Sequence, residues 1–101
     1  MPTIPQVEPI QREEQKLAPL YRIIIHNDDV TPMDYVVGIL MKEFDREYEQ
    51  AVKIMMEAHH TAAALVMVCG EEEATRRVER AHSLARTQKY PLTFSIEPED
   101  L

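Results

Sequence analysis

Three short apolar segments of the chain predict β-strands. Residues 20–25 (LYRIII) are rich in β-branched side chains, and residues 62–69 are apolar nearly throughout. After Pro91, the run LTFSI alternates apolar and polar side chains, as a strand with one buried face does. Each segment is bounded by Gly, Pro, Asn or Asp, so the pattern predicts three separate strands.

Apolar residues at helical spacing predict a helix directly after the first strand segment. We expect Thr31 to be its N-cap, with Pro32 at a position where a missing N–H costs nothing. Its apolar face comprises Met33, Val36, Val37, Leu40, Met41 and Phe44.

Two more helices are predicted on either side of the second strand segment. Asp45 is expected to cap the second helix, along which Tyr48, Val52, Met55, Met56 and His59 share one side. Gly70 and three glutamates start the third helix, where negative charge suits the positive end of the helix dipole. The buried stripe of this helix comprises Ala74, Val78, Ala81 and Ala85.

The resulting order, β-α-α-β-α-β, predicts a two-layer α+β domain with its helices on one face of a sheet. Residues 1–19 contain four of the seven prolines and show no sustained periodicity. We therefore predict a flexible proline-rich N-terminal extension over residues 1–19 and one core domain over residues 20–101.

Composition indicates the cellular compartment in which this domain is expected. The single cysteine, Cys69, cannot form an internal disulfide and is typical of a reducing compartment. No apolar run approaches the roughly 18 residues that a membrane span needs, and the N-terminus lacks the apolar centre of a signal peptide. We therefore expect a cytoplasmic protein.

Net charge restricts the class of partner. The chain has 18 acidic and 11 basic residues, giving a formal net charge of −7. Binding to a phosphate backbone needs clustered Lys and Arg, so nucleic acid is not the expected partner. An acidic surface instead suits cationic groups, of which the free amino terminus of a peptide is one.

The candidate chemistry lies in HNDDVTPM, residues 26–33. A turn uses Asn or Asp readily, but adjacent Asp28 and Asp29 repel each other unless a cation lies nearby. In a helix hairpin, Met33 and the Asn27–Asp29 cluster would meet Met55 and His59. The result would be a small apolar pocket with a net-negative rim, whose carboxylate, amide and imidazole acceptors suit an α-ammonium group.

Other interpretations of the same residues remain open at this point. Asn27–Asp29 alone could be a simple Asx-turn, and His59 could be a helix-end residue that favours the dipole. A metal-dependent hydrolase site could be formed by His26, Asp28, Asp29, His59 and His60, although their spacing matches no zinc signature such as HExxH. The fold could also act purely as a protein-docking module. No phosphate-binding glycine loop is present, so the chain is not expected to hydrolyse ATP. We expect no cofactor and no catalysis.

Three sequence segments, NDDVTPMDYV, MMEAHH and YPLTF, closely resemble the ClpS adaptor family over residues 20–98. The resemblance implies three helices packed on a three-stranded antiparallel sheet. It also implies an N-degron adaptor, which captures proteins whose first residue is Leu, Phe, Tyr or Trp. Such an adaptor delivers them to a Clp AAA+ unfoldase, ClpA or ClpC, coupled to the ClpP peptidase.

The resemblance also implies a role for individual residues. The α-amino group would be held by Asn27, Asp28 or Asp29, and His59. The hydrophobic pocket would be lined by Ile25, Thr31, Met33, Val36, Met55, Ala58 and Leu92. Glu72 and Arg77 match charged family positions that face the N-terminal domain of the unfoldase, and residues 1–19 match the extension that engages it during hand-off.

Three positions depart from the family pattern. Val30 replaces a common aromatic residue, which changes a contact at the pocket rim. Ala58 stands where Val is frequent, so the pocket floor is expected to be wider and the preference among bulky residues altered. Ala62 replaces a common glycine, so the turn after His59 is expected to differ.

Overall fold

The computed structural model describes residues 18–99, which form the predicted order of six elements. The strands are β1 (Leu20–His26), β2 (Ala63–Gly70) and β3 (Thr93–Pro98). The helices are α1 (Met33–Phe44), α2 (Tyr48–Thr61) and α3 (Glu71–Thr87). The predicted α+β class with a three-stranded antiparallel sheet is confirmed. The predicted N-terminal extension falls almost entirely outside the described residues, so its boundary remains a prediction.

Strand β1 lies at the centre of the sheet, between β2 and β3, and pairs antiparallel with both. Ile23 and Ile25 are 0% and 1% exposed, because they lie beneath the helices in the best-shielded strand. Phe44 of α1 packs on Phe94 of β3 with ring centroids 4.8 Å apart. Burial of side chains of this size contributes about 1.5–3 kcal/mol each, so this layer fixes how α1 sits on the sheet.

The small residues of α3 allow close packing, as their spacing predicted. Ala74, Ala81 and Ala85 are fully buried and Val78 nearly so. At the far end of this helix, Arg86 donates hydrogen bonds of 2.8 Å to the carbonyls of Tyr90 and Leu92. The guanidinium thereby fixes the connection that leads into β3.

The predicted cap at Thr31 is wrong. Helix α1 begins at Met33 with Pro32 at its N-cap position, and no side chain caps the helix. The Thr31 hydroxyl donates instead to the carboxylate of Asp28, at 2.9 Å. The bond to Asp28 holds the Thr31 side chain in the turn, and the extended conformation of Pro32 (φ −63°, ψ 146°) places the helix start one residue later than predicted.

The predicted role of Asp45 is also wrong. Asp45 ends α1 in the left-handed conformation (φ 54°), and Glu47 precedes α2. Asp tolerates this backbone region better than most residues with a side chain, so the same residue type suits a helix end as well as a helix start. Strand β2 begins one residue later than predicted, because Ala62 ends α2 in a left-handed conformation (φ 83°).

Among residues 18–99, none of the helices has the length and apolar character needed to cross a membrane.

Candidate functional site

The turn between β1 and α1 is organised by Asp28. Its Oδ1 accepts hydrogen bonds from the backbone N–H groups of Val30 (2.8 Å) and Thr31 (2.7 Å). Its Oδ2 accepts the Thr31 hydroxyl at 2.9 Å. This is an Asx-type turn, so the simple structural interpretation of the cluster applies to Asp28.

The same contacts keep Asp28 ionised and leave it partly available. Burial alone would raise the pKa of its carboxyl, but the hydrogen bonds from Thr31 and Val30, with the Arg86 charge nearby, bring the pKa below 3.8. A carboxylate has about four lone-pair positions, of which three are used here. One position on Oδ2 therefore remains for a further donor.

The turn is attached to the end of α2 through Asn27. The Asn27 backbone N–H donates to the Ala62 carbonyl at 2.9 Å, and the Ala62 N–H donates to the Ala58 carbonyl at 2.8 Å. A left-handed alanine costs about 1 kcal/mol relative to glycine. This conformation lets the chain leave α2 and return beside β1, which places His59 next to the turn.

A cavity of about 300 Å³ lies between this turn, the start of α1 and the end of α2. Its lining contains ten of the eleven residues assigned to the amine and pocket sites: Ile25, Asn27, Asp28, Asp29, Thr31, Met33, Val36, Met55, Ala58 and His59. His26, Val30 and Pro32 also line it. Val30 was expected only to alter a contact at the rim. Neither His26 nor Pro32 was assigned to the pocket, although all three residues belong to HNDDVTPM.

Leu92 is the one assigned residue that the cavity lining does not include. Its side chain is 1% exposed and belongs to the hydrophobic core. Arg86 of α3 donates to the Leu92 carbonyl, and the Leu92 side chain packs within the core. The structure therefore does not place Leu92 at the pocket surface.

The cavity has an apolar interior and a rim of hydrogen-bond acceptors. Ile25, Val36 and Ala58 are buried and form apolar wall. Asn27, Asp29 and His59 are exposed at the rim. Within the described part of the chain, none of these three side chains has a hydrogen-bond partner, whereas His26 is held by Ser95 at 2.7 Å. This arrangement suits a ligand that joins an apolar group to a cationic donor.

The two charged residues assigned to a partner interface differ in their surroundings, although both lie on α3. Glu72 is exposed on the outer surface of the helix. Arg77 is 20% exposed and contacts Glu73, the Glu43 carbonyl and Asp45. The structure therefore leaves Glu72 free to meet a partner and uses most of the Arg77 guanidinium within the fold.

A grouping of three or more His, Cys, Asp or Glu side chains that could hold a metal ion is not found within residues 18–99.

Comparison with known proteins agrees with this architecture. The family model described as ATP-dependent Clp protease adaptor protein ClpS matches residues 16–95. A ClpS adapter protein of Synechococcus elongatus is 43% identical, covering 93% of this chain and 98% of the relative. A ClpS adapter protein of Desulfatibacillum aliphaticivorans is 35% identical, covering 91% of this chain and 86% of the relative.

A solved structure shows the same fold. The structure of Agrobacterium tumefaciens ClpS2 bound to L-phenylalaninamide matches with a TM-score of 0.78 and 33% sequence identity. The match covers 80% of this chain and 98% of that chain. The resemblance carried by the three sequence segments is thus confirmed. The chain belongs to the ClpS family, the adaptor proteins of the ATP-dependent Clp protease.

Proposed function

We propose that this chain binds free N-termini whose first residue is bulky and hydrophobic (Leu, Phe, Tyr or Trp) and delivers those proteins to a Clp AAA+ unfoldase. The observation that carries the proposal is the cavity with an apolar interior and an acceptor rim. The first side chain would enter the interior. The α-ammonium would meet Asn27, Asp28 or Asp29, and His59 at the rim.

Each part of the cavity supplies a separate share of the binding energy. Burying a Leu or Phe side chain contributes about 1.5–3 kcal/mol. Each charge-assisted hydrogen bond to the ammonium adds about 1.5–3 kcal/mol before the cost of ordering the peptide. The sum corresponds to binding in the micromolar range or somewhat tighter, which suits an adaptor that must release its cargo.

The fixed turn supports the amine-binding role. Asp28 is held by three hydrogen bonds, so its charge is positioned before any ligand arrives. Preorganised acceptors lose less entropy on binding than mobile ones. Asp29, which is exposed and has no hydrogen-bond partner among the described residues, supplies a second negative charge at the same rim.

The ligand of the Agrobacterium ClpS2 structure supports the same chemistry. L-phenylalaninamide combines a free α-amino group with an aromatic side chain, and its amide stands in for the first peptide bond of a longer chain. The cavity of this protein offers acceptors for such an amine and apolar wall for such a ring. A charged first side chain would be rejected, because the interior has no group to solvate it.

Delivery to ClpA or ClpC is proposed from family membership. The outer surface of α3 presents exposed Glu72, Arg76 and Glu79, and is the candidate contact with the unfoldase N-terminal domain. ATP hydrolysis and peptide cleavage would belong to the partners, and a cytoplasmic location is part of the proposal.

Fluorescence anisotropy with labelled peptides that differ only at their first residue tests the binding step. We expect Leu, Phe, Tyr and Trp peptides to bind, and N-acetyl-Leu to bind at least about 100-fold more weakly, because acetylation removes the charge and adds bulk. Degradation of a Leu-first reporter by the unfoldase and ClpP, with and without this protein, tests delivery. Equal binding of free and acetylated peptides would leave only a docking module of the same fold.

A further inference from the structure

An apolar strip runs along the outer seam of the α1–α2 hairpin. We call it the hairpin strip. It comprises Met33, Val37 and Met41 on α1, and Tyr48, Val52 and Met55 on α2.

The spacing of these residues places them on one surface. Met33, Val37 and Met41 recur every four residues along α1, so they lie on one side of that helix. The two helices are in contact and are joined by only three residues, 45–47, so they run antiparallel. Met41 therefore lies near Tyr48 at the connection, and Met33 lies near Met55 at the other end.

Three of the six side chains in the strip are largely exposed to solvent. Met33, Met41 and Tyr48 are 46%, 40% and 62% exposed, whereas Val37, Val52 and Met55 are half-buried. The inner part of the same apolar face is closed by Leu40 and Phe44, both fully buried, so the strip is the outer edge that the core does not cover. Contiguous exposed apolar surface of this kind is typical of an interaction site.

The strip is continuous with the proposed peptide site, which identifies its occupant. Met33 and Met55 belong both to the strip and to the cavity lining. Val30 and Pro32, the other exposed apolar residues of the lining, belong to the turn that contains Asp28 and Asp29 rather than to the hairpin. A chain with its first residue in the cavity can therefore follow apolar surface along the hairpin in the direction of Met41.

We propose that the hairpin strip binds the residues that follow the first residue of the same substrate chain, at positions two to five, and favours apolar side chains there. Met33 and Met41 are about 12 Å apart at 1.5 Å per residue, a distance that about four extended residues span. Methionine adapts to guests of varied shape, so the strip prefers a class of side chains rather than one sequence. This inference rests on the proposed N-terminal binding.

Two leucine-first peptides test the proposal in the same anisotropy assay. One has Gly and Ser at positions two to five, and the other has Val, Phe and Leu there. We expect the apolar peptide to bind about 5–10-fold more tightly to the unaltered protein. Met41→Gln and Tyr48→Ser should each remove about half of that gain on a logarithmic scale, and the double variant should remove it all.

The Gly/Ser peptide and a matched surface variant serve as controls. Met41 and Tyr48 lie outside the cavity lining, so the Gly/Ser peptide should bind all variants equally. Leu65→Gln removes a side chain of similar exposure (42%) on β2, and should leave both peptides unaffected. In a second measurement, a spin label at peptide position five should broaden the Met41 methyl resonance.

The experiment distinguishes failure of the proposed N-terminal binding from failure of the role assigned to the strip. If the Gly/Ser peptide binds no better than its acetylated form, the proposed function itself is wrong. If it binds but the apolar peptide gains nothing, only the role of the strip is overturned. The role of the strip is also overturned if Met41→Gln and Tyr48→Ser instead disrupt a dimer in sedimentation equilibrium, or weaken only the binding of the unfoldase N-terminal domain.

Discussion

The two ends of helix α1 each have a polar cluster, and the clusters use their hydrogen-bonding groups in opposite ways. Before the helix, Asn27, Asp29 and His59 direct acceptors to the rim of an open cavity, around a turn fixed by Asp28. After the helix, Arg77 uses three of its nitrogens on Glu73 (2.8 Å), the Glu43 carbonyl (2.6 Å) and Asp45 (3.4 Å).

The difference separates the proposed binding cluster from a structural one. Glu43 is 7% exposed and is also paired with Arg80 at 2.8 Å, so the second cluster is satisfied within the fold. Burial alone would lower the pKa of Arg77, but hydrogen bonds and charges from Glu73 and Asp45 raise it. Exposed acceptors beside an apolar cavity are available to a ligand, whereas polar groups that satisfy one another stabilise the fold.

The largest effect is expected from Asp28→Ala. This substitution removes the acceptor of three hydrogen bonds, the order of the turn and one rim charge. We expect the affinity for Leu-first peptides to fall by about 100-fold or more, and the free energy of unfolding to fall by about 1–2 kcal/mol. Anisotropy and urea unfolding measure the two effects.

Asp29→Ala is the matched control for Asp28→Ala. It removes a rim charge but no hydrogen bond of the turn, so we expect about tenfold weaker binding and unchanged stability. Unimpaired binding by Asp28→Ala would show that the turn does not order the amine site.

Arg77→Ala should lower the stability of the fold without weakening peptide binding. The pairs with Glu73 and Asp45 are partly exposed and contribute little, so most of the loss comes from the unpaired Glu43 carbonyl. We expect the free energy of unfolding to fall by about 1–2 kcal/mol, with no change in affinity for Leu-first peptides. Chemical denaturation and anisotropy measure the two quantities.

Arg76→Ala serves as the control, because Arg76 is exposed on the neighbouring face of α3. Its effect on stability should stay within about 0.5 kcal/mol. If Arg77→Ala weakened peptide binding as much as Asp28→Ala does, the distinction between the two clusters would be wrong.

Local sequence signals were sufficient to predict the elements and the approach of Met33, Met55 and His59 to the Asn27–Asp29 turn. The other assigned lining residues followed only from the resemblance to the ClpS family. Strand and helix periodicities indicated all six elements, and the hairpin connection of α1 and α2 required Met33 to approach Met55. The cap assignments failed because Thr31 and Asp45 suit more than one local role. The choice between those roles depends on backbone conformation and on the neighbouring acceptor Asp28.

The remaining departures depend on contacts between residues far apart in the chain. Arg77 lies 34 residues from the Glu43 carbonyl that it binds, so nothing local indicates that its guanidinium is used within the fold. The burial of Leu92 was also not predictable from local sequence, because the hydrogen bond from Arg86 to its carbonyl joins α3 to the segment before β3. A contact of Arg77 with the unfoldase remains a prediction.

A third polar contact, between α3 and β3, is expected to give a smaller and pH-dependent effect. The Phe94 N–H donates to Nε2 of His82 at 2.9 Å, which requires that nitrogen to be unprotonated. Burial, and then the charge of Arg86, lower the pKa of His82 below its ordinary value of 6.5. The folded state therefore binds this proton less readily than the unfolded state does.

The sign of the pH dependence follows from that difference. The contribution of His82 to stability is fully present above pH 6.5 and is lost as the pH falls towards the lowered value of the folded state. Urea unfolding between pH 7.5 and 5 should show this decline, with a smaller amplitude than the effect of Arg77→Ala. His82→Gln should show a flatter profile over the same range, and an identical profile would exclude His82 as a source.

The smallest effect is expected at the cavity wall, where Ala58→Val changes volume without changing charge. Ala58 is 3% exposed and lines the cavity, so two added methyl groups would occupy space meant for the first side chain of the peptide. We expect about threefold weaker binding of Phe- and Trp-first peptides, little change for Leu, and nearly unchanged stability.

Ala51→Val places the same methyl groups at a fully buried position of α2 outside the cavity lining. There they should destabilise the fold by about 1–3 kcal/mol, because a packed core has no space for them. If both substitutions cost the same stability and neither altered peptide preference, Ala58 would be a core position like Ala51, and the cavity would not extend to the floor assigned to it.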